Sequence, residues 1–258
     1  MGTKLWISAC DGKENIILDL IRRKNIPRAV AMYLAARGID ADEADHYFNN
    51  SFADLTDPYR FPGMDVAVKR LWQAIRNRER ILIHGDYDTD GITATSLLSW
   101  VLEKNGAVVS SFLPHRFDDG YGFTPESLAK ALETAPSPCK VLVTVDCGIN
   151  SCPAVADAAS KGIDVIITDH HEPGEESSPA LAIINPKVHK ELTDMHQLSG
   201  VGVAFKLAHA FVKYGRDNNL GGYATEMQDV LDFVENTAKD HAQQLQELQQ
   251  KLEEQGRQ

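Results

Sequence analysis

A short apolar run, Ile81-Leu82-Ile83, ends in His84 and then in three carboxylates spaced two apart, Asp86, Asp88 and Asp90, before Gly91. Four ionisable groups within seven residues have no structural use at the end of a buried strand. Packed together they repel unless cations neutralise them, because burying unpaired charge is costly. Imidazole and carboxylate form a ligand set for Mn²⁺, Mg²⁺ or Zn²⁺, so the segment reads as one wall of a metal site. An EF-hand loop opens with the same Asp-x-Asp-x-Asp-Gly pattern but needs a bidentate Glu at its twelfth position. Here that position is Leu97, and the lead-in is strand-like rather than helical. A solvated acidic turn is the other plain reading, and the remainder of the chain argues against it.

Acidic residues recur at the ends of two later apolar runs. Lys140-Val-Leu-Val-Thr-Val145 leads to Asp146, Cys147 and Gly148, and Asp164-Val-Ile-Ile-Thr168 leads to Asp169, His170 and His171. β-branched runs of this length, bounded by Gly and separated by helical stretches, predict βαβ units and a mostly parallel sheet flanked by helices, an α/β fold. Ligands of such sheets bind at the carboxyl ends of the strands, where all three clusters stand. Strands are expected at 81–84, 108–113, 141–146, 165–168 and 181–184, with helices at 64–78, 92–104, 125–134 and 153–161.

These motifs resemble those of the DHH phosphoesterases. His84-Gly-Asp-Tyr-Asp-Thr-Asp90-Gly91, Val145-Asp-Cys-Gly-Ile149 and Thr168-Asp-His-His171 match the family's first three motifs. His115-Arg-Phe-Asp-Asp-Gly-Tyr-Gly122, Ile183-Ile-Asn-Pro186 and Ser199-Gly-Val-Gly-Val-Ala-Phe-Lys206 resemble its RecJ-type branch of single-strand-specific 5′→3′ DNA exonucleases. The resemblance covers about 55–212. It implies a phosphodiesterase with two divalent metals, Mn²⁺ or Mg²⁺, that activates water and stabilises charge on a phosphate. By that analogy His84, Asp88 and Asp146 hold one metal, and Asp90, Asp146 and His170 the second, with Asp146 bridging. Asp86 is a nearby ligand or water-orienting group, His171 faces the scissile phosphate, and Asp169 orients a neighbouring histidine.

Substrate grip is expected elsewhere. Ser199-Gly200-Val201-Gly202 opens a helical pattern, and a glycine-rich turn there aims N–H groups at an anion. It is thus a candidate phosphate-binding element, although Gly-x-Gly before a helix serves packing equally well. Arg116 and Lys206 are further phosphate candidates, and Phe117 and Tyr121 could stack on bases.

The family pattern breaks near the C-terminus. A Gly-Thr-x-Ala-Asp motif should supply a further metal-binding Asp, and the nearest match, Asp232 to Asp240, keeps Thr237, Ala238 and Asp240 without the glycine or apolar character. Met227, Leu231, Val234, Ala238, His241, Leu245, Leu248 and Leu252 follow a coiled-coil-like seam instead, which suggests either a docked amphipathic helix or self-association over 227–252. The DHH-associated domain of RecJ-type enzymes has no counterpart, so a reduced or partial catalytic core is expected. The domain reading is a helical lead-in at 1–55, a catalytic domain at 56–222 and a long helix at 223–258.

Composition sets bounds. A net charge of −11 argues against a general nucleic-acid binder, yet clustered catalytic carboxylates account for part of it. No apolar run approaches the ~18 residues of a membrane span. The start lacks a secretory apolar region, and four cysteines without zinc-type pairing read as reduced thiols in a cytoplasmic setting. A haloacid-dehalogenase-type phosphatase fits poorly, because the fifth position from Asp86 is Asp90 and from Asp88 is Ile92. The expected substrate is single-stranded DNA or a short oligonucleotide. Two alternatives stand beside that reading: a hydrolase of small phosphodiesters, and a non-catalytic scaffold that uses its C-terminal helix.

Overall fold

The computed structural model describes residues 8–220 apart from 50, 52–53, 116–121 and 137. It forms two compact units, Met1–Asp57 and Pro58–Gln258. The first carries α1 (Glu14–Lys24), α2 (Arg28–Ala36) and α3 (Ala44–Phe48). Left-handed Asn25 ends α1, and Pro27, which cannot continue a helix, stands before α2. Ile17, Leu20, Ala31 and Leu34 form a small core of their own.

The second unit contains α4 (Met64–Asn77), β1 (Arg80–His84), α5 (Thr89–Lys104), β2 (Val108–Phe112), α6 (Pro125–Thr134), β3 (Cys139–Val145), α7 (Cys152–Ser160), β4 (Asp164–Thr168), β5 (Ala182–Ile184) and α8 (Gly200–Asp217). The expected parallel sheet is present: every pairing is parallel, in the order β2-β1-β3-β4-β5. Chain direction across the sheet reverses between β1 and β3. In open α/β sheets, that reversal leaves a crevice above the strand ends, because the helices after the two strands pack on opposite faces.

Strand parity builds the two layers. Ile81, Ile83, Val141, Val143, Val145 and Ile166 join a core with α4, α5 and α8. Leu82, Leu142, Val165 and Ile167 join a second core with α6 and α7. Trp72 of α4 stacks on Phe211 of α8 with centroids 4.6 Å apart, and its indole N–H donates to the Phe211 carbonyl. A Cβ on Gly215 would lie 2.4 Å from that indole, so glycine permits the close packing of the two helices. Truncating a fully buried core residue such as Leu98 to alanine is expected to cost about 2–5 kcal/mol.

Helix starts matter most for the site. Thr124 and Ser127 form a capping box with Pro125 at the first turn of α6. The Asp88 carboxylate caps α5 by accepting from the Gly91 N–H at 3.0 Å. The helix therefore begins at Thr89, ahead of the expected start at residue 92, and takes Asp90 into its first turn.

Candidate metal centre

The loops after β1, β3 and β4 bring their acidic and imidazole side chains together above the sheet. Donor atoms of Asp86, Asp88 and Asp146 lie within 4.8 Å of one another, as do those of Asp146, His170 and His171. Asp146 belongs to both groups. It is 2 % exposed and adopts a left-handed backbone with φ 59°, a conformation that costs a non-glycine residue about 1 kcal/mol or more. Its Oδ1 atom is buried and accepts no hydrogen bond. His170 Nε2 lies 3.1 Å from that oxygen, but the contact lacks hydrogen-bond geometry.

Gly200 presses on the same carboxylate, and a Cβ there would sit 2.2 Å from Asp146 Oδ1. Burial, then the charges of Asp90 and Asp88, push the Asp146 carboxyl up to about 8. Asp86, 2 % exposed, is also raised, first by burial, against a 2.7 Å hydrogen bond from the Tyr87 N–H.

Both histidines are turned for ligation through Nε2. His170 Nδ1 lies 3.1 Å from the Leu198 carbonyl. Because a carbonyl only accepts, Nδ1 carries the proton and Nε2 the lone pair. His171 Nδ1 donates to Asp169 Oδ1 at 2.7 Å, which fixes the same tautomer. Asp169 also accepts from the backbone N–H groups of His170, His171 and Ile149. Burial works to raise its carboxyl, but the bonds from His171 and Ile149 outweigh that and hold it below its ordinary value. In return, Asp169 raises the imidazole of His171. A carboxylate or carbonyl behind each imidazole is the arrangement that metal-bound histidines require. The unbonded buried oxygen of Asp146 and these two oriented rings fit a divalent cation.

The structure places three of the expected groups outside these donor sets. His84 is absent from both donor groups. As the last residue of β1 it follows Leu82 in parity, so its ring enters the α6 layer, is fully buried and lies between Phe112 and Phe123. Its Nε2 is 3.0 Å from Ser127 Oγ. Asp90 is the second: from the first turn of α5 it accepts from the Gly200 and Val201 N–H groups at 2.6 and 2.7 Å, with its Oδ2 3.8 Å from His170 Nε2 at the border of the donor group. Asp86 and His171 stand in the donor groups where His84 and Asp90 are expected, beside Asp88, Asp146 and His170. The third concerns the glycine-rich turn. Its helix N-terminus does bind an anion, but that anion is Asp90, and Ser199 Oγ accepts from Gly202 N at 3.3 Å. Lys206 is 4 % exposed, buried in α8 rather than presented to a strand.

Arg116, Phe117, Tyr121, Asp240 and the seam at 227–252 lie outside the described residues. Sequence reasoning missed Ser127, whose serine in place of Glu or Gln weakens the capping-box signal, and Asn150. The Asn150 side chain accepts from Gly174 N and donates to the Glu172 carbonyl, pinning the loop after His171.

Comparison with known proteins places this chain in a family. The model of the DHH family, N-terminal domain, matches residues 80–234. The chain belongs to the DHH family. This DHH chain is 41 % identical over 197 residues to the single-stranded-DNA-specific exonuclease RecJ of Bacillus subtilis, a match that covers 76 % of it and 25 % of that relative. RecJ of Escherichia coli is 36 % identical over 193 residues, covering 74 % of this chain and 32 % of its own length. A crystal structure of exonuclease RecJ bound to manganese aligns with TM-score 0.54 and 37 % identity, over 60 % of this chain and 38 % of that one. RecJ of Thermus thermophilus in complex with Mn²⁺ aligns with TM-score 0.59 and 28 % identity, over 78 % and 27 %. The DHH chain thus spans about a quarter to two fifths of these relatives. No helix among the described residues is long and apolar enough to cross a membrane.

Proposed function

We propose that this DHH chain is the catalytic core of a metal-dependent phosphodiesterase that degrades single-stranded DNA from its 5′ end. The observation that carries the reading is Asp146, a strained, buried carboxylate shared by two donor sets, with one oxygen left without a hydrogen bond. A cation offsets both the burial and the mutual repulsion of Asp86, Asp88 and Asp146. The manganese-bound RecJ structures support Mn²⁺ as an occupant, and the oxygen-rich set supports Mg²⁺ as well.

In this reading Asp86, Asp88 and Asp146 would hold one ion, and Asp146, His170 and His171 the other. When bound, such a pair supplies a hydroxide-like water at neutral pH and offsets charge that develops on the phosphate. Asp146 would hold a metal only in its ionised form, whereas without one the raised carboxyl favours its protonated form near neutral pH. Asp169 keeps the His171 ring in the Nε2-ligating tautomer, and Asp90 holds the start of α8 so that Gly200 remains against Asp146. Intracellular DNA is the matching setting. Self-association through 227–252 remains a separate proposal, tested by the oligomeric state of a chain lacking that seam.

The test is hydrolysis of a 5′-phosphorylated single-stranded oligonucleotide with Mn²⁺, beside a dinucleotide and the Asp146→Ala variant. Stepwise release of mononucleotides from the 5′ end, lost in Asp146→Ala, is expected. Turnover of the dinucleotide alone would replace the exonuclease with a small-phosphodiester hydrolase. No turnover of either would overturn the reading.

A further inference from the structure

Ile183-Ile-Asn-Pro186 supplies no metal donor, yet the residue at its centre is fully buried. Asn185 follows β5, and its side chain makes two bonds of opposite sense. Oδ1 accepts from the Lys187 N–H at 2.8 Å and so starts a short 3₁₀ turn at Pro186. Nδ2 donates to the backbone carbonyl of His171 at 3.0 Å. The turn needs only an acceptor, which Asp, Ser or Thr supplies as well as Asn. The His171 carbonyl needs a donor, which an ionised Asp lacks and which Ser is too short to bring. Among the usual turn formers asparagine alone serves both bonds. We infer that Asn185 is a positioning residue of the metal centre: it holds His171 where Nε2 reaches the ion shared with Asp146 and His170, an inference that rests on the two-ion reading above.

Asp169 does not achieve this alone. The His171 N–H and Nδ1–H both end on one oxygen, Asp169 Oδ1, at 3.1 and 2.7 Å, and the His170 N–H joins them at 2.7 Å. Bonds that converge on one atom fix the tautomer of the ring but let the residue swing about that atom. β4 ends at Thr168, and the Asp169 N–H donates to the Ile184 carbonyl at 3.1 Å, ahead of His171. The Asn185 bond reaches His171 at its carbonyl, away from Asp169, and stops the swing. It ties the histidine to the end of β5 and hence to the sheet.

A neighbouring tether is weaker. Lys187 Nζ lies 3.2 Å from Glu172 Oε1, but the Glu172 side chain is 80 % exposed, and ion pairs of that kind contribute little. A buried amide that loses its partner costs more. Metal sites tolerate only about ±0.2 Å in ligand distance, so a swing at His171 is felt at the ion it would hold. The ion between Asp86, Asp88 and Asp146 has no ligand on this turn.

The experiment titrates the full chain with Mn²⁺ by calorimetry to count ions, and uses electron paramagnetic resonance to show whether two of them share a bridge. Asn185→Asp keeps the acceptor for the Lys187 N–H and removes the donor to His171. Asn185→Ser does the same without a buried charge, so a fold lost to one substitution is tested by the other, with thermal melts as the check. The wild type is expected to load two spin-coupled ions. In the variants the affinity for one ion should fall about 10–100-fold, as on loss of a group behind a ligand. The other ion should remain and show the sharp hyperfine pattern of isolated Mn²⁺. A merely structural role would lower the melting temperature without separating the two ions. Two coupled ions at wild-type affinity in a folded variant, or loss of both together, would overturn the role of Asn185 and leave the two-ion centre standing. A wild type that loads a single ion would remove that centre, and the role of Asn185 with it.

Discussion

The ends of β3 and β4 carry two aspartates that are almost equally hidden, Asp146 at 2 % and Asp169 at 1 % exposure, yet their electrostatics are opposite. Asp169 accepts hydrogen bonds from one imidazole and three backbone N–H groups, and its carboxyl falls below the ordinary value despite burial. Asp146 has an oxygen with no donor, and burial together with the charges of Asp90, Asp88 and Asp169 raises its carboxyl to about 8. Burial alone does not set the state of a carboxylate; the donors around it do. In the proposed reading the satisfied aspartate is the brace and the unsatisfied one the ligand. A residue left wanting a positive charge at a sheet's switch point marks the site more clearly than the number of acids in the sequence.

The largest expected effect separates the two positions by activity. Asp146→Ala should lower phosphodiester hydrolysis on the order of a thousandfold, the loss of about 4 kcal/mol of charge stabilisation, measured as kcat/KM with Mn²⁺. If the variant keeps activity within tenfold of the wild type, the contrast between the two aspartates has no functional meaning.

Asp169→Asn should weaken Mn²⁺ binding by about 10–100-fold while the ligands themselves remain, because His171 loses the partner that fixes its tautomer. The check is a Mn²⁺ titration read by electron paramagnetic resonance, which counts free ion directly.

Stability of the metal-free protein should split the pair by sign. The raised carboxyl of Asp146 favours the protonated form in the fold, so its contribution is fully present below about pH 4 and is lost as pH rises through about 8. Asp146→Asn should therefore stabilise the metal-free protein above pH 8, on the order of 3 kcal/mol at most, and do little near pH 4. The depressed carboxyl of Asp169 contributes stability above its ordinary range that is lost on acidification, so Asp169→Asn should destabilise at neutral pH. Urea melts across pH 4–9 in chelator would show whether the two curves diverge.

The smallest effect concerns His84, which the family resemblance assigns to a metal and whose ring packs against Ser127 in this fold. His84→Gln should cost about 1–3 kcal/mol of stability through the bond to Ser127, with Mn²⁺ affinity unchanged. A tenfold loss of Mn²⁺ affinity would return His84 to the donor set.

Why some of this can be read from the sequence and some cannot follows from geometry. Apolar β-branched runs that end in Asp146 and in Asp169-His170-His171 identify strand ends whatever the packing, and a parallel sheet brings strand ends together. The segment Asp86-Tyr87-Asp88-Thr89-Asp90 is harder, because its period-two spacing suggests one face. The chain leaves strand geometry after His84 and becomes helical at Thr89, so Asp86 and Asp88 reach the crevice while Asp90 turns to the start of α8. His84 reads as a ligand because sequence shows that a histidine closes a strand but not which layer its parity selects. The cleft beside these donors leaves no motif, since its walls come from two helix starts and a loop pinned by Asn150. Lys206 looks like a phosphate contact by spacing, and only packing reveals that it is buried.

The most direct test of the central claim is calorimetric titration of Mn²⁺ at pH 7 in buffers of different ionisation enthalpy, which counts the protons released on binding. A raised Asp146 that loses its proton to admit the metals predicts that the wild type releases about one proton more per loaded centre than Asp146→Asn, which should bind weakly. Binding of Mn²⁺ to Asp146→Asn with unchanged affinity, or binding to the wild type without proton release, would contradict the account.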